Sequence, residues 1–157
     1  VTQPDAGPAF REVEIDVSAL GRNISRALGM LPAGAPRVID LGADAFGCNA
    51  ALVAPLAYES GCSHALVGRI AEALTLAPDA PGLSVVCSDP LAAGAAAELA
   101  AAGAMIAHRS ITEVIAALHE GSGPLAVILD VDRGGAPGLP RENLDAVRSA
   151  ASDAGRE

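Results

Sequence analysis

Short apolar runs alternate with longer stretches in which apolar positions recur every three or four residues, and this alternation predicts strands and helices in turn. Glu12–Val17 reads as a leading strand, followed by a helix from Ser18 to Leu31 that Pro32 and Gly34 end. Further strands are predicted at Arg37–Leu41, His64–Val67, Leu83–Cys87, Met105–Ala107 and Leu125–Val131. Helices are predicted at Asn49–Ser60, Arg69–Ala77 and Pro90–Ala102, from Ser110 onward, and from Arg141 to Ala154. Gly61 and Gly103 stand just past two of these helices, and Pro78 stops a third. Ser110-Ile-Thr-Glu113 is a capping box, in which the serine oxygen takes a free backbone N–H of the first turn.

Repeated strand–helix units with short connections imply a parallel sheet with helices outside it. No G-x-G-x-x-G follows the Arg37–Leu41 strand, only Gly42 and Gly47, so a dinucleotide fold lacks its phosphate loop. A closed barrel needs eight units. The expectation is therefore an α/β fold: a partial TIM-type (β/α) barrel of about five parallel strand–helix units after the leading strand and helix. Residues 1–157 read as one domain, with 1–10 as a disordered tail.

Composition narrows the function classes. With 51% hydrophobic and 18% charged residues the chain is globular. Phe10, Phe46 and Tyr58 are the only aromatics, so the core is built from Ala, Val, Leu and Ile and buries modest area per residue. A net charge of -9 with no basic stripe argues against nucleic acid or an anionic membrane as partner. The apolar stretch Leu91–Ala107 is broken by Gly94, Glu98 and Gly103 and does not read as membrane-spanning. Val1–Pro8 does not have the pattern of a signal peptide. Cys48, Cys62 and Cys87 are odd in number and lack metal-ligand spacing, so a cytoplasmic protein with free thiols is expected.

All ten basic residues are arginine. Codon bias accounts for such a preference, but the chemical consequence stands. Arginine is never an amine nucleophile, so lysine Schiff-base chemistry is excluded on this chain.

Several side chains near strand ends carry potential chemistry. Asp40 shares a face with Gly42, and Asp130 shares one with Asp132. Asp44, Asp89 and His108 lie near the strand C-termini, where α/β folds place their sites. These groups suit acid–base or metal chemistry, but capping and turn formation explain the same residues more often, and no metal site is assigned. Cys87 with His108 as base is the one nucleophile pair available, set against the commoner role of cysteine as a small core residue. Arg109 and Arg133 suit an anion, and His64 and His119 read as structural or exposed.

Five segments in order resemble the alanine racemase family. They are Arg11–Leu20 with Asn23; Ala43-Asp-Ala-Phe-Gly47, similar to the family's K-A-D-A-Y-G signature; Leu66–Leu74; Ser110–Leu118; and Leu129-Asp-Val-Asp132 with Gly134. The resemblance covers residues 11 to 150 and implies the first half of a pyridoxal-phosphate barrel. It also implies losses. The family lysine that holds pyridoxal phosphate and acts as a base falls at Gly42. The family tyrosine that supports the cofactor phosphate falls at Phe46, and a second family lysine falls at Asp130. An arginine that faces the cofactor ring in the family falls near Pro137. The later strands and the C-terminal domain, with its catalytic tyrosine, are not in this sequence.

The resemblance thus implies a pseudoenzyme with no catalytic residue assigned. Phe46, Asp130 and His108 are the cofactor-side positions it leaves, and pyridoxal phosphate is expected by resemblance only, not as a bound cofactor. A binding or partner role follows, with a homo-oligomer such as a dimer, or a second chain, completing the barrel. The alternative is an enzyme of different chemistry using the strand-end Asp, His and Cys residues.

Overall fold

A computed structural model describes residues 14–90, 92–108, 110–120, 127–129 and 139–153. Five strands form one parallel sheet: β1 (Val38–Asp40), β2 (His64–Val67), β3 (Ser84–Cys87), β4 (Met105–His108) and β5 (Val127–Leu129). Their order in space is their order in sequence. Parallel neighbours need crossovers, and the helices α3 (Ala50–Glu59), α4 (Ile70–Asp79), α5 (Ala96–Ala101) and α6 (Ile111–Glu120) supply them. This is the strand–helix repeat of a barrel, carried through five strands.

The register fixes which side chains face the helices. Ala65 pairs with Val85, and Val67 with Cys87, which pairs with Ile106. All five are buried and join one core with Val53, Ala57, Leu76 and Leu99 from the helices. The other face carries Asp40, Leu66, Val86 and Met105 in register. Val86 is buried, Leu66 and Met105 are half-buried, and Asp40 is exposed. This second face is the concave side that the rest of a barrel would cover.

Local chemistry sets the helix boundaries. The start of the chain differs from expectation: residues 14–16 form no strand, and Val17 opens α1 (Val17–Gly29). Residues 12 and 13 lie outside the described residues. The cause is Asp16, whose carboxylate accepts from Ala19 N at 2.9 Å and caps the helix. Pro78 does not stop α4, which continues to Asp79; proline keeps a helical φ, so a last turn tolerates it. The Pro90–Ala102 segment divides into a 3-10 turn at Ala92–Ala95 and α5, because Ala95 leaves helical geometry at φ -117. Ser110 Oγ accepts from Glu113 N at 3.2 Å, the forward half of the expected capping box. A second 3-10 turn, Arg141–Asn143, leads into α7 (Leu144–Asp153).

Candidate functional site

Strand β1 ends in an unusual piece of backbone. Residues Gly42–Gly47, labelled α2, form a left-handed turn. Ala43, Asp44, Ala45 and Phe46 have φ of 51, 55, 54 and 57° and ψ between 33 and 48°. L-residues cost roughly 1–2 kcal/mol each in this region, or about 4–8 kcal/mol for the run. Backbone strain on that scale persists only where surrounding structure fixes it, and it concentrates at functional sites.

The restraints are visible. Leu41 is 1% exposed and donates its N–H to Leu66 O at 2.8 Å, which ties the start of the turn to β2. Ala45 is buried and donates to Leu41 O at 2.9 Å. The Asp40 carboxylate accepts from Gly42 N at 2.9 Å. At the far end the Asp44 carboxylate accepts from Ala50 N at 2.7 Å, and Asn49 Oδ1 accepts from Leu52 N at 3.2 Å. Asp44 and Asn49 thereby join the turn to the start of α3. Both residue types tolerate positive φ better than most, which is the one sequence signal for this geometry.

The first position of the turn adjoins the Asp40 carboxylate. A β-carbon at Gly42 would stand 3.1 Å from Asp40 Oδ1 and 3.7 Å from Gly68 N. Position 42 and the Asp40 carboxylate are therefore immediate neighbours. Phe46 is 75% exposed at the tip of the turn. Cys48, just after it, is half-buried. Asp130, Asp132, Arg133 and Arg109 lie outside the described residues.

His108 sits elsewhere. It continues the parity of Ile106 on β4, so it points toward the helices, away from the Asp40 face. It is 1% exposed, its Nδ1 stands 3.7 Å from Glu113 Oε2, and its Nε2 is buried with no hydrogen-bond partner. Burial pushes its pKa below 6.5, partly offset by the Glu113 carboxylate. Cys87 is buried on the same side of the sheet, and burial raises its thiol pKa, against the reactive thiolate a nucleophile needs. Asp89 lends a carboxylate oxygen to Ile70 N at 3.4 Å, at the start of α4. Among the described residues no cluster of three His, Cys, Asp or Glu is placed to hold a metal. No helix among them is long and apolar enough to cross a membrane.

Comparison with known proteins adds to this geometry. The sequence profile of a family described as alanine racemase, N-terminal domain, matches residues 15–156. A catabolic alanine racemase of Agrobacterium fabrum is 38% identical over 74 residues, which are 47% of this chain and 19% of that protein. The alanine racemase of Corynebacterium glutamicum superposes with a TM-score of 0.70 at 22% identity, over 90% of this chain and 41% of its own. The alanine racemase of Bartonella henselae, solved with covalently bound pyridoxal phosphate, superposes with a TM-score of 0.69 at 21% identity. That match covers 91% of this chain and 43% of the Bartonella protein. The chain therefore spans less than half the length of these relatives.

Proposed function

The chain belongs to the alanine racemase N-terminal domain family, and from that premise we propose that it keeps the family's barrel architecture without racemase catalysis. The observation that carries this reading is Gly42. It follows β1 and opens the strained turn, at the position where the resemblance sets the cofactor lysine. The chain has no lysine anywhere, so no side-chain amine on it can take that role.

The neighbouring groups do not fit the cofactor either. Position 42 is flanked by the Asp40 carboxylate, a negative charge beside the site of a phosphate-bearing ligand. Phe46 offers a ring face at the position of the family tyrosine and no hydroxyl to donate to a phosphate. Asp130 takes the place of a family lysine and changes the sign of the charge there.

The remaining role is binding or partnership. Its concave sheet face carries half-buried Leu66 and Met105, and β1 and β5 are the outer strands of the sheet among the described residues. Outer strands and an apolar face favour association with further strands. A second chain, or a second copy of this one, completes the barrel on this reading. The free cysteines Cys48, Cys62 and Cys87 suit a reducing, cytoplasmic setting. Exchange of the alanine α-proton for solvent deuterium, followed by NMR with pyridoxal phosphate present, tests the loss of catalysis. Exchange no faster than with the cofactor alone is expected, and exchange that scales with protein concentration overturns the proposal. Light scattering at twice the chain mass would support self-association.

A further inference from the structure

Among the described residues His108 is the one polar side chain that is fully buried. It stands at the junction of two elements. It is the last residue of β4, and Ser110, two residues on, caps α6 by accepting from Glu113 N. Its Nδ1 faces Glu113 Oε2 at 3.7 Å. A carboxylate there favours the tautomer with its proton on Nδ1, which leaves Nε2 as a buried lone pair facing no donor. A polar atom in that state costs free energy as long as α6 lies closed on the sheet.

The surrounding elements give a charged ring little support. Glu113 is the only ionisable residue in the first two turns of α6. β3 brings the buried thiol of Cys87, with Asp89 just beyond the strand end. α4 brings Glu72, whose Oε2 is also buried with no hydrogen-bond partner. Glu98 of α5 is exposed, and β5, whose Leu129 pairs with His108, is Val-Ile-Leu. Among these groups Glu113 acts on the imidazole, whereas Asp89 and Glu72 act on Cys87. A proton taken up in place turns Nε2 into a buried donor with no acceptor and sets a charge in an apolar core.

We propose that the β4–α6 junction is an acid-operated latch: His108 takes a proton only when the first turns of α6 lift from the sheet, and acid thereby holds α6 open. In the open state the ring meets water, both of its nitrogens find partners, and it titrates as an ordinary histidine near pH 6.5. The opening is local. Ile106 keeps β4 paired with Cys87 on one side and Val127 on the other, while α6 is a single helix of ten residues. The face it releases is apolar, since Val114 and Ala117 are 1% and 0% exposed in the closed state. Falling pH thus uncovers an apolar surface that is hidden at neutral pH.

Hydrogen exchange of the whole chain, read by mass spectrometry and corrected for the intrinsic pH dependence of exchange, tests the latch. The α6 peptide is expected to open more readily than the α3 peptide, with a weaker dependence on low urea, the mark of a local opening. Its opening is expected to rise about tenfold per pH unit below about pH 6.5, the slope of one linked proton. His108→Gln should abolish that slope. Glu113→Gln should move it to lower pH, because the carboxylate that favours the charged ring is gone. Glu72→Gln, at the other unpartnered buried atom, should leave it unchanged. Circular dichroism at neutral pH checks the fold of each variant, and if His108→Gln does not fold, the Glu113→Gln shift decides. An α6 opening that ignores pH overturns the proposal. So does a single rate and urea dependence shared by α6 and α3, which would mark global unfolding alone. A slope that survives His108→Gln, stays in place in Glu113→Gln or vanishes in Glu72→Gln also overturns it.

Discussion

Replacing Ala43 by glycine should stabilise this protein, the reverse of the usual effect of that change. Ala43 is exposed and has φ 51 and ψ 46, so its methyl group contributes no buried area while its backbone occupies the left-handed region. An L-residue there costs roughly 1–2 kcal/mol. Glycine removes that cost but adds about 0.4–1 kcal/mol of unfolded-state entropy. The difference leaves a net gain of about 0.5–1 kcal/mol. For a chain of this size, that gain corresponds to a rise of about 1–4 °C in Tm. Urea unfolding followed by far-ultraviolet circular dichroism would resolve it as a higher midpoint with unchanged slope. Ala27→Gly supplies the contrast. Ala27 is equally exposed but lies inside right-handed α1, where glycine is expected to cost about 1 kcal/mol. If Ala43→Gly destabilises the protein as Ala27→Gly does, Ala43 is not left-handed and the argument for a strained site fails.

Two further outcomes follow from the same reasoning. His108 is held neutral by burial, with its pKa below 6.5. In the unfolded chain it binds a proton more readily, so its contribution to stability is complete above about pH 6.5 and is lost as pH falls toward the folded value. Urea midpoints measured from about pH 8 to about pH 5.5 should therefore fall below about pH 6.5, and His108→Leu should flatten that slope; an unchanged slope would show that His108 is not the titrating group. Gly82 has φ +91, and a β-carbon there would run into the Tyr58 ring. Gly82→Ala should cost about 1–3 kcal/mol in the same urea assay, and a neutral result would contradict the Tyr58 packing.

Much of the architecture was legible in the order of apolar runs. The five sheet strands and the helices between them follow from periodicity, and their parallel pairing follows from the length of the connections. The start of α1 was not legible, because Asp16 reads equally well as a strand residue and as a helix cap, and only its bond to Ala19 N decides. The side of the sheet occupied by His108 depended on one residue of strand length. A strand ending at Ala107 leaves His108 in the loop at the strand-end face, whereas β4 extends through His108 and turns it toward the helices. The left-handed turn was hidden for a different reason. Gly-Ala-Asp-Ala-Phe-Gly contains three residues with no preference for positive φ, and the buried Leu41 and Ala45 that hold the turn are recognisable only once the fold is known. Glu72 escaped notice because an acid in the first turn of a helix is ordinary in sequence. Its missing partner is a property of packing.

The account rests on Gly42 having removed covalent cofactor binding, and borohydride trapping tests this most directly. The chain, with its α-amino group blocked, is incubated with pyridoxal phosphate, reduced with sodium borohydride, digested and analysed by mass spectrometry. A chain without lysine should yield no internal peptide carrying the reduced cofactor, and no absorbance band that reduction abolishes. A stoichiometric adduct on any internal residue would contradict the account.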